Sequence, residues 1–233
     1  MVRKSRKKQV AMKARKIIAN DNPKSPIAEQ YRTIRANLQF ASVDKELQSL
    51  LITSAGPSEG KSMTSANMAA VFAQQGKRVL LVDADLRKPT VHHSFRLNNT
   101  KGLSNFLVGR QTLKETTQIT AVDNLDVLPS GPIPPNPSEL LGSKAMHKLM
   151  MEARQSYDLL ILDTPPVLAV SDSQVLAREV DGVMLVVRSG QTEFQAAERA
   201  KELLEQSKAN LLGVVLNDRE KKNSNYYYYY GNS

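Results

Sequence analysis

Residues 50–62 read "LLITSAGPSEGKS", and no other stretch limits the possible folds as sharply. A short apolar run leads into a glycine-containing turn, and Gly60-Lys61-Ser62 then opens a helical stretch. Strand, loop and helix in that order form a phosphate-binding loop, with Ala55 standing where the strict pattern has its first glycine. The residue types follow from the chemistry. Backbone N–H groups between Gly56 and Ser62 can wrap phosphate oxygens, and the helix that follows turns its positive end toward them. The binding set is Gly56, Pro57, Ser58, Glu59, Gly60, Lys61, Ser62 and Met63. Lys61 is expected to reach the β- and γ-phosphates, and the Ser62 hydroxyl to ligate Mg²⁺.

The rest of the chain repeats the same alternation. "SLLITS", "RVLLVD", "LDVLPS", "DLLILD", "GVMLVV" and "LLGVVL" are continuously apolar rather than alternating. Strands covered by helices on both faces have that pattern. Between them "SMTSANMAAVFAQQG", "SKAMHKLMMEARQS", "SDSQVLAREV" and "FQAAERAKELLEQS" read as helices. The expectation is an α/β fold, a doubly wound and mostly parallel sheet flanked by helices. "SGPIPPNPSELL" is a proline-rich loop entering a short helix. Ahead of the first strand, Ser25 and Pro26 begin a helix as N-cap and first residue. Its apolar stripe is Ile27, Tyr31, Ile34 and Leu38, which predicts Glu29, Arg32 and Arg35 on the opposite face.

Two strand ends carry acids. "VLLVDADLRKP" places Asp83 and Asp85 at one, and "LLILDTPP" places Asp163 at another. Open α/β sheets bind their ligands at the carboxyl ends of strands, and a strand-end aspartate beside a phosphate loop is a Mg²⁺ ligand by type.

Charge and aromatic content concentrate at the two ends of the chain. The formal charge is +9, and residues 1–24 contribute +8 of it through nine Lys or Arg against Asp21. A basic arm on a near-neutral body is not a nucleic-acid groove, so no nucleic-acid partner is expected. A solvated arm, or one drawn to an anionic membrane surface or an acidic partner, fits it better. There is no cysteine, which removes disulfides and thiol chemistry. Apolar runs are strand-sized, well short of the ~18 residues that cross a bilayer. A cytoplasmic protein is expected, brought to the inner membrane face by something else. Five of the seven tyrosines are Tyr226–Tyr230, set between polar, turn-forming residues. That run reads either as a strand paired only in an oligomer or as a tethered substrate. The expected organisation is an arm over 1–24, a catalytic domain over 25–217 and a flexible tail over 218–233.

Taken together, "AGPSEGKS", "LLVDADLRKP", "SGPIPPNPSELL" and "LLILDTPPVL" resemble the bacterial tyrosine kinases, the P-loop family associated with capsule and exopolysaccharide production. The resemblance covers roughly residues 22–217 and extends to the tyrosine run. It implies ATP and Mg²⁺ as cofactors, with Lys61, Asp83 and Asp85 as catalytic residues. Ser62, Asp85 and Asp163 would hold the metal. Asp83 would take the tyrosine proton, with Asp85 the alternative base. It also implies autophosphorylation of Tyr226, Tyr227, Tyr228, Tyr229 and Tyr230 in trans. Glu29, Arg32 and Arg35 match the family's "ExxRxxR" pattern for a homo-oligomeric ring, the other reading being a solvated helix face. A separate transmembrane activator, a tyrosine phosphatase and protein substrates in polysaccharide synthesis are the implied partners. Each phosphotyrosine adds ~−1.5 to −2, so a phosphorylated tail is expected to oppose assembly. The rival class is a partitioning-type P-loop ATPase. Such proteins carry a second lysine early in the loop, where this chain has Gly56.

Overall fold

In a computed structural model the described residues are 17–41 and 46–220. The tyrosine run and the first sixteen residues of the basic arm lie outside them. A short turn, α1 (Ile18–Asp21), precedes α2 (Pro26–Ala41), whose entry is capped as predicted, with the Ala28 N–H donating to Ser25 Oγ at 3.1 Å. β1 (Ser49–Ser54), α3 (Lys61–Ala73) and β2 (Val79–Asp83) follow. Three short helices come next: α4 (Val91–Phe95), α5 (Leu103–Leu107) and α6 (Leu113–Thr116). The chain continues through β3 (Gln118–Ile119), β4 (Leu125–Leu128), α7 (Pro137–Leu141) and α8 (Lys144–Ser156). It closes with β5 (Leu159–Asp163), α9 (Asp172–Ala177), β6 (Gly182–Arg188), α10 (Phe194–Gln206) and β7 (Leu211–Asn217).

The seven strands form one sheet in the order β3-β4-β2-β5-β1-β6-β7. All neighbours are parallel except the β3–β4 pair at one edge. The continuous apolar runs now have their reason. Leu50 and Ile52 of β1 enter a core with Met68 and Phe72 of α3, while Leu51 enters a second core with Leu149 of α8 and Leu204 of α10. Successive side chains of a strand point to opposite faces, so a strand between two cores is apolar at every position. β7 departs from that expectation. It is the sheet edge, and Val214 and Leu216 are more than half exposed. Its apolar sequence therefore does not report two covered faces.

α3 is buried around most of its circumference, and its small residues permit that close approach. α1 is clasped to it by two bonds. Ala19 N–H donates to Asn67 Oδ1 (2.9 Å) and Gln74 Nε2 donates to the Ala19 carbonyl (2.9 Å). The short helices α4–α6 and the two-residue β3 went unforeseen. The signal for α6 was nonetheless present, since Thr112 and Glu115 form a capping box of the T-x-x-E type.

Beyond β4 the chain is held to the start of α5 by backbone contact. Leu103 N–H donates to the Pro129 carbonyl at 2.7 Å, and a Cβ on Gly102 would stand 2.1 Å from that same oxygen and 2.4 Å from Gly131 N. Neither neighbour is a flexible side chain, so the two loops must separate to admit a methyl group. Gly102→Ala is expected to cost ~1–3 kcal/mol, and in a domain of this size each kcal/mol lowers Tm by about 2–4 °C. A calorimetric scan matching wild type would show that the loops part without penalty.

Candidate nucleotide and phosphoryl-transfer site

The sheet order decides which strand ends meet. β5 lies between β1 and β2, so Asp163 at its end pairs in register with Asp83 of β2 and with Ile52 of β1. The phosphate loop leaves β1 beside them. Two of its residues have left-handed backbone, Ser58 (φ 65°) and Gly60 (φ 93°). At Gly60 the left-handed backbone disfavours any side chain, and an added Cβ, 2.1 Å from Asn217 Nδ2, would also require that amide to move.

Lys61 is the centre of the site. Its Nζ lies 3.0 Å from Asp85 Oδ2, 3.4 Å from Asp163 Oδ2 and 3.3 Å from Ser62 Oγ. Burial alone would lower the pKa of this ammonium, but Asp163 and Asp85 outweigh it and raise it. Asp163 is fully buried and accepts a hydrogen bond from Ser65 Oγ at 3.0 Å. Burial raises its carboxyl above the usual range, with Lys61 and the Ser62 hydroxyl pulling the other way. Asp83 is also fully buried. Its Oδ2 accepts from the N–H groups of Thr90 (3.1 Å) and Val91 (3.0 Å), whereas Oδ1 has no hydrogen-bond partner. Burial first, then Asp163, pushes this carboxyl well above its ordinary value. Asp85 differs, since its Oδ1 accepts from the backbone N–H of Lys88 (3.0 Å) and Arg87 (3.3 Å) while Oδ2 faces Lys61.

Several supporting contacts are long-range and were not foreseen. Arg87 makes a two-pronged bond to the buried Asp172 of α9, Nε to Oδ2 at 2.9 Å and Nη2 to Oδ1 at 3.0 Å. That ties the turn bearing Asp85 to α9, whose Leu176 shares a core with Leu86 of that turn. Glu59, within the phosphate loop, accepts from Thr192 Oγ1 at 2.6 Å, and its backbone carbonyl accepts from Asn217 Nδ2 at 2.9 Å. Asn217, at the end of β7, therefore lies directly against the loop.

The surroundings of Lys61 fit a divalent cation with phosphate. Three carboxylates act on a single ammonium, which leaves formal negative charge to be balanced. Among the described residues no cluster of three or more His, Cys, Asp or Glu could hold a metal alone. Mg²⁺ does not need one, because it typically takes one or two carboxylates and completes its shell with water and phosphate oxygens. Ser62, Asp163 and Asp85 offer that kind of set.

The oligomer pattern on α2 divides. Glu29 and Arg32 form an ion pair on the outer face. Arg35 does not share that face, for its Nη1 donates to the Val71 carbonyl of α3 at 2.6 Å. The expected apolar stripe also shifts. Ala28 and Leu38 are buried and Tyr31 and Ile34 half-buried, but Ile27 is 44% exposed. One face of a helix is set by its period, but what covers that face is set by neighbouring elements, here α3.

Comparison with known proteins agrees with this geometry. Residues 51–211 match the family described as an AAA domain. The tyrosine-protein kinase YwqD of Bacillus subtilis (strain 168) is 53% identical over 226 residues, covering 97% of this chain and 95% of that protein. Among solved structures, the kinase domain of Escherichia coli tyrosine kinase ETK superposes with a TM-score of 0.86 at 39% identity, covering 97% of this chain and 89% of that one. The chimerical protein CapA2B2 superposes with a TM-score of 0.85 at 45% identity, covering 88% and 90%.

Proposed function

This chain belongs to the family of bacterial P-loop tyrosine-protein kinases, and from that premise we propose that it phosphorylates tyrosine hydroxyls with ATP and Mg²⁺. Its first substrate is its own cluster, Tyr226–Tyr230, and its wider role is to regulate capsular or exopolysaccharide synthesis. The observation that carries the reading is the meeting of Lys61 with Asp85 and Asp163 beside an Asp83 oxygen that has no partner.

Bound MgATP supplies the phosphoryl group, and Ser62, Asp163 and Asp85 would hold the metal. The protein's own work is positioning and charge. Lys61 brings a positive charge to a buried, acidic pocket, where it acts with little screening by water. Asp83 is the better candidate for base, because Asp85 already has both oxygens engaged. A phenol has a pKa near 10, and a carboxylate raised by burial is a stronger acceptor for its proton. The tail begins where β7 ends, beside the Glu59 carbonyl. A tether of about ten residues at ~3.3–3.6 Å each keeps the tyrosines at high effective concentration. In a ring assembled through Glu29 and Arg32, that reach extends to a neighbouring subunit's site. The implied activator is a separate membrane protein. Among the described residues no helix is long and apolar enough to cross a membrane.

Incubation of the full chain with labelled ATP and Mg²⁺ tests the proposal. Label stable to both acid and base is expected, mapping chiefly to Tyr226–Tyr230 and falling at least ~10-fold when all five are replaced by Phe. Tyr31 and Tyr157 are poor acceptors, since both are half-buried and Tyr157 already donates to Asp126 Oδ2 at 2.8 Å. Free phosphate without labelled protein would instead identify an ATPase.

A further inference from the structure

α2 runs along α3, the helix that opens at the phosphate loop, and three polar contacts mark the seam between them. Tyr31 lies at the Thr64 side chain, which lowers the phenol's pKa against the rise that burial imposes. Arg35 Nη1 donates to the Val71 carbonyl at 2.6 Å, and Gln39 Nε2 donates to Gln75 Oε1 at 3.1 Å. Tyr31, Arg35 and Gln39 are spaced i, i+4, i+8, so they form one stripe on α2. Their partners run from the first turn of α3 to just beyond its last.

The Arg35 contact is made possible by how α3 ends. Helix ends leave carbonyls without intrahelical donors. Here the Gln75 N–H turns to the Phe72 carbonyl (3.1 Å), one residue short of the helical partner, and the guanidinium supplies the Val71 carbonyl instead. A cation at a helix C-terminus interacts favourably with the helix dipole, and this helix directs its other end at the phosphate site. Arg35 Nε is buried with no hydrogen-bond partner, while the side chain as a whole is half-buried at the seam. At the opposite end of the stripe, Thr64 N–H closes on the Gly60 carbonyl (2.9 Å), placing the Tyr31 contact two residues from Ser62.

We propose that Arg35 and Tyr31 are positioning residues of the nucleotide site, holding α3 along α2 so that ATP affinity depends on this seam. The two arginines of the "ExxRxxR" pattern then do different work, Arg32 paired with Glu29 and Arg35 bonded to the phosphate-loop helix. This deepens the kinase reading and rests on it for the identity of the nucleotide. The binding measurement itself does not require phosphoryl transfer.

The test is equilibrium binding of a fluorescent ATP analogue with Mg²⁺ to the full chain, at a temperature where circular dichroism shows each variant folded. Steady-state autophosphorylation against ATP concentration accompanies it. Arg35→Ala is expected to weaken binding and raise the KM for ATP by ~5- to 10-fold, the lower end of ordinary coupling between sites, with kcat at saturating ATP little changed. Arg35→Lys should recover most of that loss, because it keeps a cationic donor for the Val71 carbonyl. Tyr31→Phe should weaken binding ~2- to 3-fold at an unchanged Tm, and Arg32→Ala should leave affinity as it was. Wild-type affinity in Arg35→Ala, whether or not assembly is lost, overturns the proposal. Should Arg35→Ala not fold, unchanged affinity in both Arg35→Lys and Tyr31→Phe does the same. Loss of transfer in the wild type with these affinity shifts intact would sink the kinase reading and leave the seam standing.

Discussion

Lys61→Met is expected to lower tyrosine phosphorylation by at least ~10²–10³-fold, the usual loss when one preorganised electrostatic donor is removed from a transfer site. Met approximates the length of the lysine stem without its charge. The buried carboxyls Asp163 and Asp83 lose the cation that faces them, yet both already have raised pKa values and can take up protons. The fold should therefore survive, and circular dichroism should show native helix content. Incorporation of labelled phosphate into the tail is the measurement. Transfer within ~10-fold of wild type would mean that Lys61 does not carry the charge stabilisation assigned to it.

Asp83→Asn should separate activity from stability in opposite directions. Loss of a positioned base typically lowers the rate ~10²–10⁴-fold. Stability should rise, because a group whose folded-state pKa lies above its unfolded value contributes stability only in its protonated form. That contribution is fully present below the unfolded pKa and is lost as pH rises through the folded one. Wherever the unfolded chain's carboxyl is ionised, holding Asp83 in this buried site with one oxygen lacking a partner is thus a cost. Asparagine is uncharged at every pH, so its Tm should exceed the wild type's by a few degrees, at about 2–4 °C per kcal/mol. The advantage should shrink as the solution is acidified and the wild-type carboxyl takes its proton. Transfer by the wild type should fall over the same pH range, above where ordinary carboxylates titrate. Thermal scans and initial rates measured together across that range give both curves. Near-normal transfer by Asp83→Asn, with transfer lost in Asp85→Ala, would exchange the roles of the two aspartates. A lower Tm in Asp83→Asn would mean that the ionised carboxylate stabilises the fold.

How much was legible beforehand depended on how local each interaction is. The strands β1, β2, β5 and β6 could be placed within a residue or so from their apolar runs, because burial between two cores imposes itself on every position of a strand. α3, α8 and α10 were legible from length and composition together. The phosphate loop could be read outright, since its chemistry uses consecutive residues whose backbone N–H groups and one lysine act as a unit. β7 shows the limit of that reasoning, for "LLGVVL" has the same composition as a buried strand and sits at the sheet edge.

The sequence by itself determined the α/β class, the loop and its lysine, and the aspartates closing two strands. Only the tertiary structure decided that β5 lies between β1 and β2, bringing Asp163 against Asp83 and both toward Lys61. It alone tied Arg87 to Asp172, 85 positions away, and gave Arg35 a partner on α3 while Arg32 pairs with Glu29 on its own helix. Helical period, strand alternation and turn chemistry act over a few residues and leave their mark in the order of the chain. Adjacency of strands, and what covers a given helix face, arise from packing between segments far apart in sequence, which no local pattern encodes.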